Sequence, residues 1–173
     1  MFVPFGKTGD LKEDAMGFRS MASSYIFPCQ DISDSICVLS NAAGVMMAFF
    51  ERISWCGFYI WNGKELVLGP FQGEPACERI KSGRGVCGTA YETGVTQIVP
   101  DVELFPGHIA CSGSSRSEMV VPVKDGNGKV IAVIDIDSAE RDRFGSYEAG
   151  LIDELAHLLV AQNAFCGYPV SNS

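Results

Sequence analysis

Seven cysteines stand in a chain of 173 residues, and Cys77, Cys87 and Cys111 fall in one stretch broken by glycine and proline, where backbone movement can bring sulfur to sulfur. A thiolate there can attack an electrophilic sulfur or carbon. If it takes an oxygen atom it becomes a sulfenic acid, which a neighbouring thiol resolves as a disulfide. Glycine-flanked loop thiols are expected to be exposed and suited to redox work. Cys29, Cys37, Cys56 and Cys166 lie in or beside regular patterns and read as small buried apolar residues. A Cys/His protease pair is the competing use, since His108 stands three positions before Cys111. Such pairs normally draw their members from separate segments and no oxyanion motif stands beside Cys111, so a structural hydrogen bond is the better reading of His108.

The second chemical signal is acidic. In an expected strand over 129–137, Asp135 and Asp137 point to one sheet face and Ile134 and Ile136 to the other, and Glu118 lies on the strand before it. Either these acids form a solvated outer face, or they wall a pocket that receives a cationic group or delivers a proton. Burial raises carboxyl pKa values, which would make them general acids near neutrality. Trp55 and Tyr59 share one parity in another strand and offer either an apolar pocket wall or ordinary core packing. The run Lys81-Ser82-Gly83-Arg84-Gly85-Val86-Cys87-Gly88 lacks the spacing of a phosphate loop; its glycines instead allow a tight bend that brings Cys87 near another segment.

The elements that must hold these groups follow from periodicity. Residues 1–28 form an N-terminal segment with a short helix around Leu11–Tyr25. Ile32, Ile36, Leu39, Ala43, Met46 and Phe50 recur at helical spacing, with Asp31 or Ser33 as cap. The aromatic run Trp55–Trp61, the turn signal Asn62-Gly63 and a returning strand over 64–71 read as a two-residue hairpin. Residues 72–117 form a loop-rich insert, with a short helix over 86–92 and a short strand over 97–99. A second hairpin pairs 118–123 with 129–137, and Ser146 caps a last helix reaching about Phe165. Helix, hairpin, insert, hairpin and helix describe an α+β architecture: an antiparallel sheet with helices packed on one face and a loop-rich pocket on the other.

Composition narrows the function. A formal net charge of −8 and no Lys/Arg-rich block exclude a phosphate backbone as partner. No apolar run of about 18 uninterrupted residues suggests a membrane span, and the start lacks a basic and apolar leader, so a cytoplasmic protein with reduced thiols is expected. There is no Cys-x-x-Cys pair and only His108 and His157 could supply imidazole, so no metal site is expected.

Longer matches carry more information than these fragments. Ser54-Trp55-Cys56-Gly57-Phe58-Tyr59, Leu68-Gly69-Pro70-Phe71-Gln72-Gly73 with Pro75-Ala76-Cys77, and Gly85-Val86-Cys87-Gly88-Thr89-Ala90 are followed by Asp101-Val102. Phe105-Pro106-Gly107-His108-Ile109-Ala110-Cys111, Ser117-Glu118 and Ile134-Asp135-Ile136-Asp137-Ser138 complete the set. In order and spacing, across nearly all of 54–138, this resembles the free methionine-R-sulfoxide reductases, stand-alone GAF-domain enzymes. The resemblance implies one GAF domain over 1–173, with Cys111 as nucleophile, Cys87 as main resolving thiol and Cys77 as an additional thiol for an alternative or resting disulfide. It implies a substrate pocket lined by Trp55, Tyr59, Glu118, Asp135 and Asp137, no bound cofactor, thioredoxin as external reductant, and room for a homodimer. One departure is Ser112, where many relatives carry Asp. The rival from another class is a sensory GAF module that binds a cyclic nucleotide, tetrapyrrole or metabolite; the fold alone permits it, and the three insert thiols favour the enzyme.

Overall fold

A computed structural model describes residues 6–107 and 114–169. Two capped helices open it. The Asp10 carboxylate accepts from the backbone N–H groups of Lys12 and Glu13 at the start of α1 (Leu11–Tyr25), and Asp31 accepts from Ser33 and Asp34 at the start of α2 (Ile32–Phe49). Each cap satisfies amides that lack an intrahelical acceptor. Of the two expected caps for α2, Asp31 serves. By length and composition α2 could cross a membrane, yet its Val38, Leu39, Ala42, Ala43 and Met46 are buried in the core, as in the central helix of a globular fold.

The strands are β1 (Trp55–Trp61), β2 (Leu66–Gln72), β3 (Arg79–Ile80), β4 (Gln97–Val99), β5 (Ser117–Lys124) and β6 (Val130–Ser138). They form one sheet in the order β3-β2-β1-β6-β5-β4, and every neighbouring pair is antiparallel. Strand alternation sorts the side chains into two apolar clusters. Phe58 and Ile60 of β1, Met119 and Val121 of β5, and Ile134 and Ile136 of β6 face α1, α2 and α4 (Ser146–Ala161). Trp55, Tyr59, Val120 and Val133 face the other way, toward Val86, Cys87 and Ala90 of α3 (Gly85–Thr93). Full burial of one such aliphatic side chain contributes about 1.5–3 kcal/mol, so a one-residue register slip, which would exchange the two faces, is strongly disfavoured.

Two details differ from the sequence expectation. The connection after β1 spans 62–65 rather than two residues: Asn62 Oδ1 accepts from the backbone N–H groups of Lys64 and Glu65, and the Asn62 N–H donates to Glu65 O. This side-chain turn is the Asx device that asparagine brings besides its tolerance of hairpin conformations. Gly145, not Ser146, precedes α4, and its N–H donates to Glu148 Oε2 at 3.1 Å while Arg143 holds the other oxygen at 2.8 Å. As expected of a helix within the insert, α3 packs against the other side of the sheet from α1, α2 and α4.

Gly57 sits where β1 irregularly pairs β2, and a Cβ there would lie 2.4 Å from Phe71 Cβ, 2.9 Å from Phe71 Cα and 2.8 Å from Trp55 Cη2. Two of these are too fixed to yield cheaply. Gly57→Ala is expected to cost about 1–3 kcal/mol, a fall in Tm of about 2–4 °C per kcal/mol, measurable by thermal denaturation. An unchanged Tm would mean that β2 does not press on this strand.

Candidate active site

The pocket floor is a product of register. Trp55 of β1, Asp137 of β6 and Glu118 of β5 stand directly opposite one another in neighbouring strands, and in the next row Gly57, Asp135 and Val120 do the same. Facing carboxylates across an antiparallel pair repel, so the sheet places Glu118 and Asp137 together against a local cost. Because Gly57 has no side chain, the Trp55 ring can lie over it, beside Asp135. Trp55 also stacks on Phe71, with centroids 5.4 Å apart and planes 16° from parallel, and on Tyr59 at 6.1 Å.

Two of the acids are withdrawn from solvent, while Asp137 is half-buried. Glu118 and Asp135 are each only 6% exposed, and the Cys87 thiol from the first turn of α3 is buried beside them. The Cys87 Sγ lies 4.0 Å from Glu118 Oε1, and one ligand atom each of Cys87, Glu118 and Asp135 all lie within 4.8 Å of one another. Burial first, then the charge of Asp137, raises the Glu118 pKa well above the usual carboxyl range; burial, Asp137 and Glu118 do the same for Asp135. Burial, followed by Asp135 and Glu118, holds the Cys87 thiol protonated. Among the described residues, Asp135 Oδ1 is buried with no hydrogen-bond partner. A buried oxygen left so is costly, which makes it an opening for a ligand that donates or is positively charged.

Above the floor, the first part of the insert is tied down by the same aromatic residues. Trp55 Nε1 donates to Glu74 O at 3.0 Å, and Tyr59 Oη donates to Cys77 O at 3.0 Å. Gly73, at φ 126°, admits this approach, since a Cβ there would lie 2.5 Å from Trp55 Cδ1. Trp55 and Tyr59 therefore position the backbone segment that carries Cys77.

The thiols differ from one another. Cys77 is disulfide-bonded, whereas Cys87 is free, as are Cys29, Cys37, Cys56 and Cys166. Cys87 was expected to be an exposed loop thiol and is buried instead, because it begins a helix packed against the sheet. Cys37 was expected to be buried and is exposed on α2, while Cys166 is half-buried. His108, Cys111 and Ser112 lie outside the described residues. Sequence reasoning missed two residues that set the position of Trp55, Gly57 and Phe71. A glycine inside an aromatic strand signals close approach and could have identified the first; nothing local pointed to the second.

Comparison with known proteins follows this geometry. A family model described as GAF domain matches residues 29–162. The free methionine-R-sulfoxide reductase of Saccharomyces cerevisiae is 45% identical over 131 residues, covering 72% of this chain and 73% of its own length. The Escherichia coli protein of the same name is 44% identical over 124 residues, covering 71% of this chain and 74% of its own. The X-ray structure of free methionine-R-sulfoxide reductase from Neisseria meningitidis in complex with its substrate superposes with a TM-score of 0.77 at 39% identity, over 95% of each chain. The chain belongs to the GAF-domain family and, within it, to the free methionine-R-sulfoxide reductases.

The buried acids predict a pH-dependent stability. A carboxyl whose folded pKa is raised binds more protons folded than unfolded. Its neutral form is accommodated below the unfolded pKa of about 4, and stability is lost as pH rises through the folded pKa. Asp135→Asn removes that loss for one group. Its Tm is expected to exceed the parent's by an amount that grows from about pH 4 upward, and to approach it below. Differential scanning calorimetry across pH checks this; a gap that stays constant would mean Asp135 ionises normally in the folded protein.

Proposed function

We propose that the chain reduces free L-methionine (R)-S-oxide to L-methionine through Cys111, in a reducing cytoplasmic compartment, and that a thioredoxin-type dithiol restores it. The observation that carries the reading is the enclosed acid cluster, Glu118 and Asp135 buried side by side beneath the tethered Cys77 segment, in a chain of this family. A sulfoxide oxygen must gain protons as its S–O bond breaks, and Glu118 is held neutral by burial and by Asp137, so it has a proton to give. The ligand's ammonium meets Asp135, whose unpartnered oxygen becomes a satisfied carboxylate when a cation arrives. A peptide-bound sulfoxide has no ammonium there, which accounts for selectivity toward the free amino acid. The aromatic surfaces of Trp55 and Phe71 suit the methyl group.

The step balances as follows. The Cys111 thiolate attacks the sulfoxide sulfur, the oxygen passes to Cys111 with a proton, and methionine leaves with both electrons of the broken S–O bond. A second thiol then attacks the sulfenic acid, forming a disulfide and releasing water, and an external dithiol reopens it. The family resemblance ranks Cys87 first for this second role. We assign it to Cys77, which is disulfide-bonded whereas Cys87 is free. Cys87, kept protonated among carboxyls, is a poor nucleophile.

Cys111→Ser is expected to abolish methionine formation from the free R-sulfoxide with thioredoxin recycling. Cys77→Ser is expected to release roughly one methionine per chain and then stall, while Cys87→Ser keeps turning over. Stereospecific product assays in single- and multiple-turnover mode check all three. Full activity in Cys111→Ser would end the nucleophile assignment, and stalling in Cys87→Ser rather than Cys77→Ser would return the resolving role to Cys87.

A further inference from the structure

Cys87 is left without a task by this scheme, although its thiol is buried beside the acids. Its sulfur and one oxygen each of Glu118 and Asp135 come from three different elements, α3, β5 and β6, and converge within 4.8 Å of one another. Asp135 Oδ1 is buried and has no hydrogen-bond partner among the described residues, so at least one oxygen in this group is still open to a ligand. We propose that Cys87, Glu118 and Asp135 form a three-ligand seat for one thiophilic divalent cation, zinc or cadmium, which occupies the floor of the substrate pocket and reversibly inhibits the enzyme.

The geometry needs little adjustment. Zinc bound tetrahedrally at about 2.3 Å from sulfur and about 2.0–2.2 Å from oxygen sets its ligands roughly 3.6 Å apart. The Cys87 sulfur and Glu118 Oε1 are 4.0 Å apart, so side-chain rotations of well under one residue's reach close the set. The fourth position stays open to water or to a ligand group, as in zinc sites with three protein ligands. One thiolate and two carboxylates favour a borderline-soft ion such as zinc over magnesium or calcium, which prefer sets made only of oxygen.

Charge decides the conditions. A thiol binds such a cation as its thiolate, so loading the seat releases protons into solvent. The ion then supplies the positive charge that the buried acids otherwise receive from the ligand's ammonium, so the two exclude each other. This competition rests on the proposed methionine sulfoxide site; the metal seat itself does not. The sequence expectation of no metal site considered only cysteine and histidine spacing, and this set is built by sheet register instead.

The test adds cadmium chloride alone to protein whose Cys77 disulfide is kept oxidised, so that Cys77 offers no free thiol. Thiolate-to-cadmium charge-transfer absorbance and proton release are followed together. One ion per chain is expected, with its signal lost in Cys87→Ser. Affinity is expected to fall about tenfold or more in both Glu118→Gln and Asp135→Asn, which retain every thiol. Circular dichroism of each variant establishes folding. A signal that survives Cys87→Ser, or an affinity indifferent to both amide variants, overturns the seat and assigns the ion to Cys37 or Cys166. The last arm adds free L-methionine: displacement of the ion supports both readings. Binding that meets every other criterion but ignores methionine retains the seat and counts against the proposed substrate pocket.

Discussion

Three carboxylic acids on one face of a sheet, two of them buried and the third half-buried, are the constraint around which the rest of the molecule is arranged. Glu118 and Asp137 face each other across β5 and β6, Asp135 stands one row along, and repulsion within this group would push the strands apart if the sheet's other face did not hold them together. That face carries Ile134, Ile136, Met119 and Val121, all wholly buried beneath helices. Hydrophobic burial on one side thus maintains a destabilising polar arrangement on the other. Such a division between a stabilising layer and a working layer is what strand alternation makes possible at minimal length.

The working layer also organises its own roof. Trp55 and Tyr59 spend their polar atoms on backbone carbonyls of Glu74 and Cys77 and leave their ring faces to the pocket. The disulfide-bonded cysteine is consequently attached to the aromatic floor through its own carbonyl. Gly57 and Gly73 make this possible by having nothing where the Trp55 ring must lie. A change at either glycine acts on the chemistry through Trp55, without itself touching any reacting atom.

Much of this was legible in the sequence. The alternation of Ile134, Asp135, Ile136 and Asp137 allowed the two faces of β6 to be assigned correctly, and Leu11–Tyr25 and Gln97–Val99 were found where expected. Strong local periodicity carries such information. What stayed hidden depended on contacts between distant segments. Whether the acids were solvated or buried is decided by α3 and the insert lying over them, which no residue in 129–137 encodes. Cys87 looked like an exposed loop thiol because glycines surround it, yet those glycines let α3 begin close to the sheet: a Cβ on Gly88 would lie 2.4 Å from Lys81 O. The two-residue β3 is too short to have any period at all.

The same enclosure separates the roles that the cysteines can take. A nucleophilic thiol must ionise, and ionisation beside buried carboxyls is opposed both by desolvation and by charge; Cys87 illustrates the penalty. The acids suit proton donation and cation capture for the same reason that they suppress a thiolate nearby. In the proposed reaction, a general acid and a resting thiolate therefore cannot be held in equal contact unless a cation, whether an ammonium or a metal ion, stands between them. A bound ammonium turns the acids from an obstacle into ligands, lowers the cost of a thiolate arriving beside them, and so ties reactivity to the presence of a charged substrate. On the proposed mechanism, selectivity for a free amino acid and restraint of the thiol in its absence are two consequences of one electrostatic arrangement.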